Sequence, residues 1–269
     1  MIIAVDTGGT KTLIGKFSKD GEKLASVKLP TPKSVDEYVQ TITNRVKDIS
    51  DGQDIEVLSM ALPGVVKNGV AVWCHNLGWR NVAIRDRFQQ FFPKSLIIID
   101  NDANLAGLAS MRRLESIPRR GLYITIGTGV GTAIVLDGKL HGALNDCEGG
   151  HMLLEYKGDL ITWENLSSGR VINRLYGDLS DDTPPEVWPE IAGRINLGLR
   201  NIVAMIQPEV IVIGGMVSEY VDKFDDVLSG LLAESLPSSI TVPRIVAAPY
   251  PRETVIYGCY DNAIAHIMA

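Results

Sequence analysis

A carboxylate and an amide follow a short apolar run near the middle of the chain. Residues 96–99 read Leu-Ile-Ile-Ile, which is typical of a buried strand in a parallel sheet. Asn101 and Asp102 come next, and residues 103–113 have the apolar spacing of a helix. The pair is therefore expected on a strand-to-helix turn at the carboxyl edge of a sheet, where open α/β sheets bind their ligands.

This placement gives Asp102 a candidate chemical role. A carboxylate at such a turn can accept the proton of a substrate hydroxyl while the hydroxyl oxygen attacks a phosphorus atom. The alternative is that Asp102 only caps the following helix, because Asp is a favoured N-cap residue.

Two glycine turns, each between two apolar strand-like runs, are candidate phosphate sites. The first comprises Asp6, Gly8, Gly9, Thr10 and Lys11, and the second comprises Gly127, Thr128, Gly129 and Gly131. Glycine has no Cβ, so its backbone can approach a phosphate closely and bind it through N–H groups. For the first turn alone, a plain hairpin is an equal alternative, since the P-loop spacing and its helix are missing.

The order of strand, glycine-threonine turn, strand and polar hairpin occurs twice in the chain. The two hairpins are marked by Asp-Gly pairs at residues 20–21 and 137–138. This repetition favours an internal duplication of a phosphate-binding unit. Within the first copy, Asp6 is a candidate to hold Mg²⁺ through water, and Lys11 either binds phosphate or is a solvated surface amine.

Aromatic and amide side chains lie close together in the segment that contains Asn76. Trp73 and Trp79 flank this asparagine. Such a set suits a sugar, whose faces are apolar and whose edge carries hydroxyl groups. The favoured alternative is an ordinary loop with two half-buried indole rings.

Glu148, His151 and Glu164 form a second group of candidate polar residues. The histidine is a candidate catalytic base, ligand-binding residue or structural group, and a structural role is also open for both glutamates. Metal binding by Cys147 and His151 is not expected, because no second pair with ligand spacing follows.

The helices and strands that position these residues follow from the apolar spacing. Helices are predicted over residues 34–49, 191–206 and 258–268, a strand over 57–62 and a loop over 178–189. A further strand, over 210–213, ends in Gly214 and Gly215, a turn suited to a flat or phosphorylated ligand.

The composition limits the possible partners. The chain has 269 residues, a net charge of −6 and no long basic run, which argues against a nucleic-acid partner. The three cysteines are far apart and odd in number, which fits a reducing cytosol. The sequence shows no signal-type or transmembrane-length apolar stretch, so a cytoplasmic protein without membrane contact is expected.

With these motifs in this order, the chain resembles the ROK-family sugar kinases of the actin/hexokinase/Hsp70 ATPase superfamily. The resemblance covers nearly the full length. It implies an α/β, two-lobed actin-like ATPase (ribonuclease H-like) fold with a ligand cleft between the lobes. The small N-terminal lobe would comprise residues 1–105, with a C-terminal helix over 255–269 packed back on it, and the large lobe would comprise residues 106–254.

The resemblance also implies roles for the candidate residues. Asp102 would be the general base of a phosphoryl transfer. The sugar-binding residues would be Asn76, Asn101, Glu148, His151 and Glu164. Both glycine turns would bind the phosphates of ATP, which brings Mg²⁺, and Gly214 and Gly215 would lie on the adenosine side of the nucleotide.

The chain departs from the family pattern in several places. Many members carry a zinc site built from the histidine and a downstream cysteine cluster, but residues 156–163 contain no cysteine. We therefore predict no structural zinc and a loop around His151 that is held by packing. Thr132-Ala133 stand where members often have glycines. The chain begins at the phosphate-motif strand, so no N-terminal DNA-binding helix-turn-helix is expected.

The predicted activity is ATP-dependent phosphorylation of a hexose or N-acetylhexosamine at its terminal hydroxyl. A polyphosphate-dependent sugar kinase and a non-catalytic sugar-sensing protein are the alternatives. The net negative charge favours ATP over polyphosphate, and the intact Asp102 and glycine turns argue against a sensor. The family implies a homodimer, and the identity of the sugar stays open.

Overall fold

The computed structural model describes residues 1–250 and 253–268, within which the chain forms fifteen strands and eight α-helices. The strands are β1 (Ile2–Thr7), β2 (Lys11–Phe17), β3 (Lys23–Pro30), β4 (Val57–Leu62), β5 (Val65–Lys67), β6 (Val70–Cys74), β7 (Trp79–Val82), β8 (Leu96–Asn101), β9 (Arg120–Ile126), β10 (Val130–Leu136), β11 (Lys139–Leu140), β12 (Leu153–Tyr156), β13 (Asp159–Thr162), β14 (Val210–Gly215) and β15 (Arg244–Ala247). The helices are α1 (Val35–Ser50), α2 (Ile84–Gln89), α3 (Asp102–Arg112), α4 (Trp163–Ser167), α5 (Gly169–Tyr176), α6 (Val187–Ile206), α7 (Asp225–Ser235) and α8 (Thr254–Ile267). Short 3₁₀ helices lie at His75–Leu77, Gly149–His151 and Ser218–Lys223.

The described residues group into two compact units. The first contains Met1–Ala109 together with the chain from Glu253 onward, and the second begins at Ser110 and contains the residues between. Each unit has its own buried apolar core. The lobes inferred from the sequence, 1–105 and 106–254, divide the chain at similar places and stay a prediction.

The first unit is built on a five-stranded sheet with the order β3-β2-β1-β4-β8. Strand β1 is antiparallel to β2 and parallel to β4, and β4 is parallel to β8. In register across the parallel strands, Asp6 pairs with Ala61, and Ala61 pairs with Asp100. The ends of these strands therefore meet at one edge of the sheet, directly before Asp102.

Helices cover both faces of this sheet. Helix α1 begins after Ser34, whose Oγ accepts a hydrogen bond from Glu37 N at 3.2 Å, and it buries an apolar face in the first core. Helix α8 packs against β1 and β4 within the same unit. The approach of α8 to α3 is close, because a Cβ on Gly258 would lie 1.9 Å from Leu105 O.

The second unit repeats the arrangement of the first. Its five-stranded sheet has the order β11-β10-β9-β14-β15. Strand β9 is antiparallel to β10 and parallel to β14, which is parallel to β15. The first three strands of each sheet are consecutive in the chain, and the glycine turns join β1 to β2 and β9 to β10. The repeated sequence pattern therefore corresponds to two sheets of identical strand order.

Some predicted boundaries differ from the structure. Helix α6 begins at Val187, inside the predicted loop 178–189, because Trp188 is only 5% exposed and packs against Tyr220 and Phe224. Proline is tolerated in the first turn of a helix, where the missing N–H has no partner to lose. Helix α8 likewise begins at Thr254 rather than 258, and residue 269 of the predicted C-terminal helix lies outside the described residues.

The structure also contains elements that the apolar spacing did not indicate. They include the hairpin β12–β13 and the helices α2, α4, α5 and α7. None of the helices among the described residues combines the length and the apolar character that crossing a bilayer requires.

Candidate active site

Asn101, and not Asp102, supplies the main cap of helix α3. Asn101 Oδ1 accepts hydrogen bonds from Ala103 N at 2.7 Å and from Asn104 N at 3.1 Å, the pattern of an N-cap residue. Asp102 is the first residue of the helix, and its Oδ1 accepts from Ala103 N at 2.9 Å. The capping function that we considered for Asp102 is therefore largely provided by its neighbour.

Asn101 also joins the strand end to a second loop. Its Nδ2 donates a hydrogen bond to Gly64 O at 2.8 Å. The side-chain oxygen already accepts two hydrogen bonds, so Asn101 can interact with a sugar only through its remaining N–H. A direct sugar contact by Asn101 stays a prediction.

Asp6 and Asp102 lie close enough in the first unit to interact electrostatically. Burial first, and then the negative charge of Asp102, raise the pKa of Asp6 to about 7, against an opposing effect of Lys28. Burial is also the main cause that raises the pKa of Cys74 to about 12, and the charge of Asp102 is the second cause. Because Cys74 directly precedes the 3₁₀ helix that contains Asn76, these groups share one region of the first unit.

The two carboxylates offer hard oxygen ligands that suit Mg²⁺. Among residues 1–250 and 253–268, however, no group of three or more His, Cys, Asp or Glu side chains could hold a metal ion. A Mg²⁺ ion at Asp6 would therefore need water and the phosphates of a nucleotide as its other ligands, which is the usual mode of magnesium binding. The residues fit that mode, and Asp6 stays a predicted ligand through water.

The first glycine turn is held from one side by the segment 31–33, which we call the strap. Thr31 Oγ1 donates to Gly8 O at 2.8 Å, and Thr31 N donates to Thr10 O at 3.0 Å. Lys33 Nζ donates to Gly9 O at 2.7 Å. Three successive carbonyl groups of the turn thus point toward the strap.

This orientation determines where the N–H groups of the turn point. In a trans peptide the C=O and the next N–H point in opposite directions, and the described residues contain no cis peptide bond. The N–H groups of Gly9, Thr10 and Lys11 therefore point away from the strap. Successive N–H groups on one side of a turn form an anion-binding concavity. This geometry supports the predicted phosphate site on the side of the turn that faces away from the strap.

Asn76 lies against the same turn. A Cβ on Gly9 would lie 3.1 Å from Asn76 Cβ, so a larger residue at position 9 would crowd the asparagine. The indole of Trp79 is 3% exposed, contacts the Tyr38 ring edge-on at 4.9 Å, and donates from Nε1 to Lys33 O at 3.3 Å. The expectation of a half-buried ring is thus wrong for Trp79, which belongs to the core that supports the strap.

Trp73 is the accessible ring of this segment. It is 36% exposed, and the Arg80 guanidinium lies over it, 3.8 Å from the ring centroid. The two tryptophans therefore do not form a matched pair of sugar-stacking rings.

In the second unit, Glu164 lies against the second glycine turn. Val130 N donates to Glu164 Oε2 at 3.4 Å, and a Cβ on Gly129 would lie 2.4 Å from the same oxygen. The turn is closed by a hydrogen bond from Gly127 N to Gly129 O at 3.0 Å. On its other side, Gly169 N donates to Gly127 O at 2.8 Å.

Glu148, His151 and Glu164 lie within electrostatic reach of one another. The pKa of Glu148 is raised first by partial removal of water from its carboxyl group and then by the negative charges of Glu164 and Asp146, while His151 lowers it. The 3₁₀ helix Gly149–His151 packs on β10, where a Cβ on Gly150 would lie 2.0 Å from Val130 O. The structure therefore brings these three predicted sugar-binding residues together beside the second turn.

Gly214 and Gly215 lie at the end of β14, beside the end of β9. A Cβ on Gly215 would lie 2.3 Å from Ile126 O, and a Cβ on Gly214 would lie 2.1 Å from the Tyr123 hydroxyl. Close packing within the sheet thus already requires both glycines, whatever ligand they contact. Their position next to Gly127 is compatible with the predicted nucleotide contact, which stays a prediction.

Sequence reasoning missed several residues that hold these groups. Thr31 and Lys33 follow strand β3 and directly precede the Ser34 cap, so the Thr-Pro-Lys-Ser order was a usable signal of a structured connection. Gly169 ends the Ser-Ser-Gly segment that follows Glu164 in the sequence. Thr132, whose hydroxyl bonds to the backbone near Glu148, gave no signal of that kind.

Two sheets of identical order, each with a glycine turn between its first two strands, define an actin-like ATPase fold, as predicted. The crystal structure of a ROK family glucokinase from Streptomyces griseus in complex with glucose and AMPPNP superposes with a TM-score of 0.80, at 23% identity, over 97% of this chain and 98% of that one. The chain belongs to the ROK family, whose model matches residues 2–260. The predicted family is confirmed.

Curated relatives include several sugar kinases. A glucokinase from Streptomyces coelicolor is 24% identical over 81% of this chain and 83% of its own length. An N-acetyl-D-glucosamine kinase from Haemophilus influenzae is 26% identical over 93% of this chain and 95% of its own. The matches also include a xylose repressor from Caldicellulosiruptor bescii and the structure of an inorganic polyphosphate/ATP-glucomannokinase from Arthrobacter. Family membership alone therefore does not distinguish a kinase from a regulator, or one phosphate donor from another.

Proposed function

We propose that the protein is a sugar kinase that transfers the terminal phosphoryl group of ATP to the terminal hydroxyl of a hexose or N-acetylhexosamine. The observation that carries the proposal is the arrangement in the first unit. A turn with three N–H groups on one side, Asp6 at the end of β1 and Asp102 at the start of α3 occur together there. The sugar kinases among the relatives support the same reaction.

Asp102 accepts the proton of the sugar hydroxyl in this mechanism. As the first residue of α3, it experiences the positive end of the helix dipole, which favours the anion. Phosphoryl transfer has a loose transition state, so the orientation of the hydroxyl by Asp102 contributes more than its strength as a base.

The glycine turns bind the phosphates of the donor through backbone N–H groups. In the first turn Thr31 and Lys33 of the strap bind the carbonyl groups, and the N–H groups on the opposite side of the turn face the phosphate. Mg²⁺, held through water by Asp6, would neutralise phosphate charge when bound. Gly214 and Gly215 are proposed to contact the adenosine side.

The proposed sugar-binding residues are Asn76, Asn101, Glu148, His151 and Glu164. Carboxylates accept hydrogen bonds from sugar hydroxyls, and the exposed His151 can donate or accept one. The proximity of Glu148, His151 and Glu164 in the second unit supports their joint role. A homodimer and a cytoplasmic location are further parts of the proposal, and light scattering of the purified protein tests the first.

Two rival functions are tested by one assay series. A coupled assay that detects ADP, run with MgATP and a panel of hexoses and N-acetylhexosamines, separates a kinase from a non-catalytic sugar sensor. Comparing ATP with polyphosphate in a second assay that detects the sugar phosphate identifies the donor, because transfer from polyphosphate releases no ADP. We expect ATP to be preferred, because a chain with a net charge of −6 repels a long polyanion.

The substitution Asp102→Asn tests the catalytic role directly. The variant is expected to fold normally, to bind sugar, and to lose at least about 100-fold in turnover, the lower range of general-base contributions. The matched control is Asp86→Asn, since Asp86 is an exposed carboxylate in the first turn of α2. Turnover near that of the unmodified protein in Asp102→Asn would refute the role, and an equal loss in Asp86→Asn would indicate a non-specific effect.

A further inference from the structure

One hydroxyl group holds the backbone on both sides of Glu148. Thr132 Oγ1 accepts a hydrogen bond from Gly149 N at 3.0 Å and donates one to Cys147 O at 3.3 Å. The two bonds thus hold the residues immediately before and after the glutamate. Only a group that is donor and acceptor at once can bridge an N–H and a C=O in this way, and a hydroxyl is such a group.

The Glu148 segment lies in direct contact with strand β10. A Cβ on Gly149 would lie 2.8 Å from Thr132 Cγ2, and a Cβ on Gly150 would lie 2.0 Å from Val130 O. Thr132 itself is 7% exposed, so water competes little for its hydroxyl. Glycine at positions 149 and 150 is therefore required for the backbone to come within hydrogen-bond distance of Thr132.

Glu148 itself is exposed, and its carboxyl lies near like charges. The charges of Glu164 and Asp146 disfavour the ionised form of this carboxyl group, and His151 favours it. The place of a side chain's charged end depends on its backbone as well as on its rotamer. The bonds to Thr132 restrict the backbone from which Glu148 extends.

We propose that Thr132 is a positioning residue, which fixes Glu148 beside the second glycine turn so that its carboxylate can bind a sugar hydroxyl. The sugar part rests on the proposed function. Thr132 lies on β10, the strand that follows the second glycine turn. The same strand is therefore joined to the phosphate-binding turn and hydrogen-bonded to the segment of the sugar-binding glutamate. Thr132 contacts neither substrate in this role.

The test compares three variants at position 132. Thr132→Val keeps the shape and removes both hydrogen bonds, Thr132→Ser keeps the hydroxyl, and Thr132→Ala removes the bonds with a smaller side chain in case valine is not tolerated. The matched control is Thr43→Val, because the Thr43 hydroxyl on α1 is buried and has no hydrogen-bond partner among the described residues.

The first readout is hydrogen–deuterium exchange without any ligand. The amide of Gly149 should exchange about 5- to 30-fold faster in Thr132→Val and Thr132→Ala, the factor expected for one or two lost hydrogen bonds. The Thr132→Ser and Thr43→Val variants should match the unmodified protein. Equal protection of Gly149 in all variants would overturn the proposal.

The second readout is the split between KM and kcat. Thr132→Val should raise the KM for sugar by about the same 5- to 30-fold, with kcat and the KM for ATP within about 2-fold, and Thr132→Ser should restore it. Faster exchange with an unchanged sugar KM would overturn the positioning role and leave a structural one. If the unmodified protein phosphorylates no sugar while Gly149 responds as expected, the proposed function fails and the anchoring of Glu148 stands.

Discussion

At the scale of single residues, Asp6 shows how a site can act against the stability of its own fold. Its carboxyl group is removed from water and faces the negative charge of Asp102, so its pKa is raised to about 7. Groups with such shifted values are common where a ligand supplies the missing opposite charge. The raised pKa of Asp6 therefore supports its proposed role as a magnesium ligand through water.

The substitution Asp6→Asn is expected to stabilise the free protein in a pH-dependent way. Between the ordinary Asp pKa of 3.8 and about 7, the folded chain binds a proton that the unfolded chain has lost. The free energy of unfolding therefore falls as pH rises through this window and is constant above it. A shift of this size corresponds to up to about 4 kcal/mol. Urea denaturation should show the variant gaining stability over the unmodified protein as pH rises from about 5 to 8.

The same substitution separates stability from function. With the carboxylate gone, the KM for MgATP should rise although the folded protein is more stable, a trade-off typical of functional residues. If Asp6→Asn raised the free energy of unfolding by the same amount at acidic and at alkaline pH, Asp6 would not titrate in this range. A variant that is more stable and equally active would remove Asp6 from the proposed magnesium site.

The residues that sequence reasoning found and missed differ in a physical respect. Asp102 and Asn101 were identified because strand, turn and helix are consecutive, so local spacing placed them. Thr31 and Lys33 act on carbonyl groups 23 and 24 residues away, and Thr132 acts on a backbone group 17 residues away. Such contacts depend on how strands pair and helices pack, which apolar periodicity does not encode.

At the scale of elements, the approach of α8 to α3 depends on a single glycine. The periodicity of the chain predicted a final helix but not what it packs against. In the structure a Cβ on Gly258 would lie 1.9 Å from Leu105 O, which is a backbone atom that cannot move out of the way as a flexible side chain could. Helix α3 begins at Asp102, so this contact supports the helix whose first turn contains the proposed base.

The substitution Gly258→Ala is therefore expected to destabilise the protein by about 1–3 kcal/mol or more, the range for overpacking a core. The control is Gly230→Ala on α7, where an added Cβ meets nothing within 4 Å and the residue is exposed. There the higher helix propensity of alanine should stabilise the protein by about 0.8–1 kcal/mol. Opposite shifts in the midpoint of thermal unfolding are the expected result. A neutral effect of Gly258→Ala would mean that α8 is not held tightly against α3.

The hairpin β12–β13 illustrates an element that the sequence pattern did not reveal. Its residues 153–162 lack a strong alternation, since Leu153 and Leu160 are 63% and 72% exposed while Leu154 is 8% exposed. The hairpin is recognisable from its pairing, in which Leu154 stands opposite Ile161. Strands of this length derive their stability from neighbouring elements, so their own sequence carries little information about them.

At the scale of the whole molecule, the two sheets show why the fold was predictable while parts of the site were not. Strand, glycine turn, strand and hairpin recur in the sequence, and each recurrence forms a sheet of the same order. The residues that carry chemistry differ between the copies. The first unit has Asp6 and Asp102, and the second has Glu148, His151 and Glu164. The repeated sequence pattern therefore predicts the two sheets. The residues that differ between the two copies mark the candidate site.

The prediction of a fold without structural zinc concerns the second unit as a whole. A hydrogen bond and apolar packing hold the segment after His151: Trp163 N donates to Met152 O at 2.9 Å, and Leu154 is buried in the core. Dialysis against a strong chelator should therefore leave the midpoint of thermal unfolding unchanged, and activity should return fully when MgATP is supplied. Metal analysis of the purified protein is the control. Stoichiometric zinc whose removal lowers the unfolding midpoint would contradict the prediction, because a structural zinc site contributes its binding energy to folding.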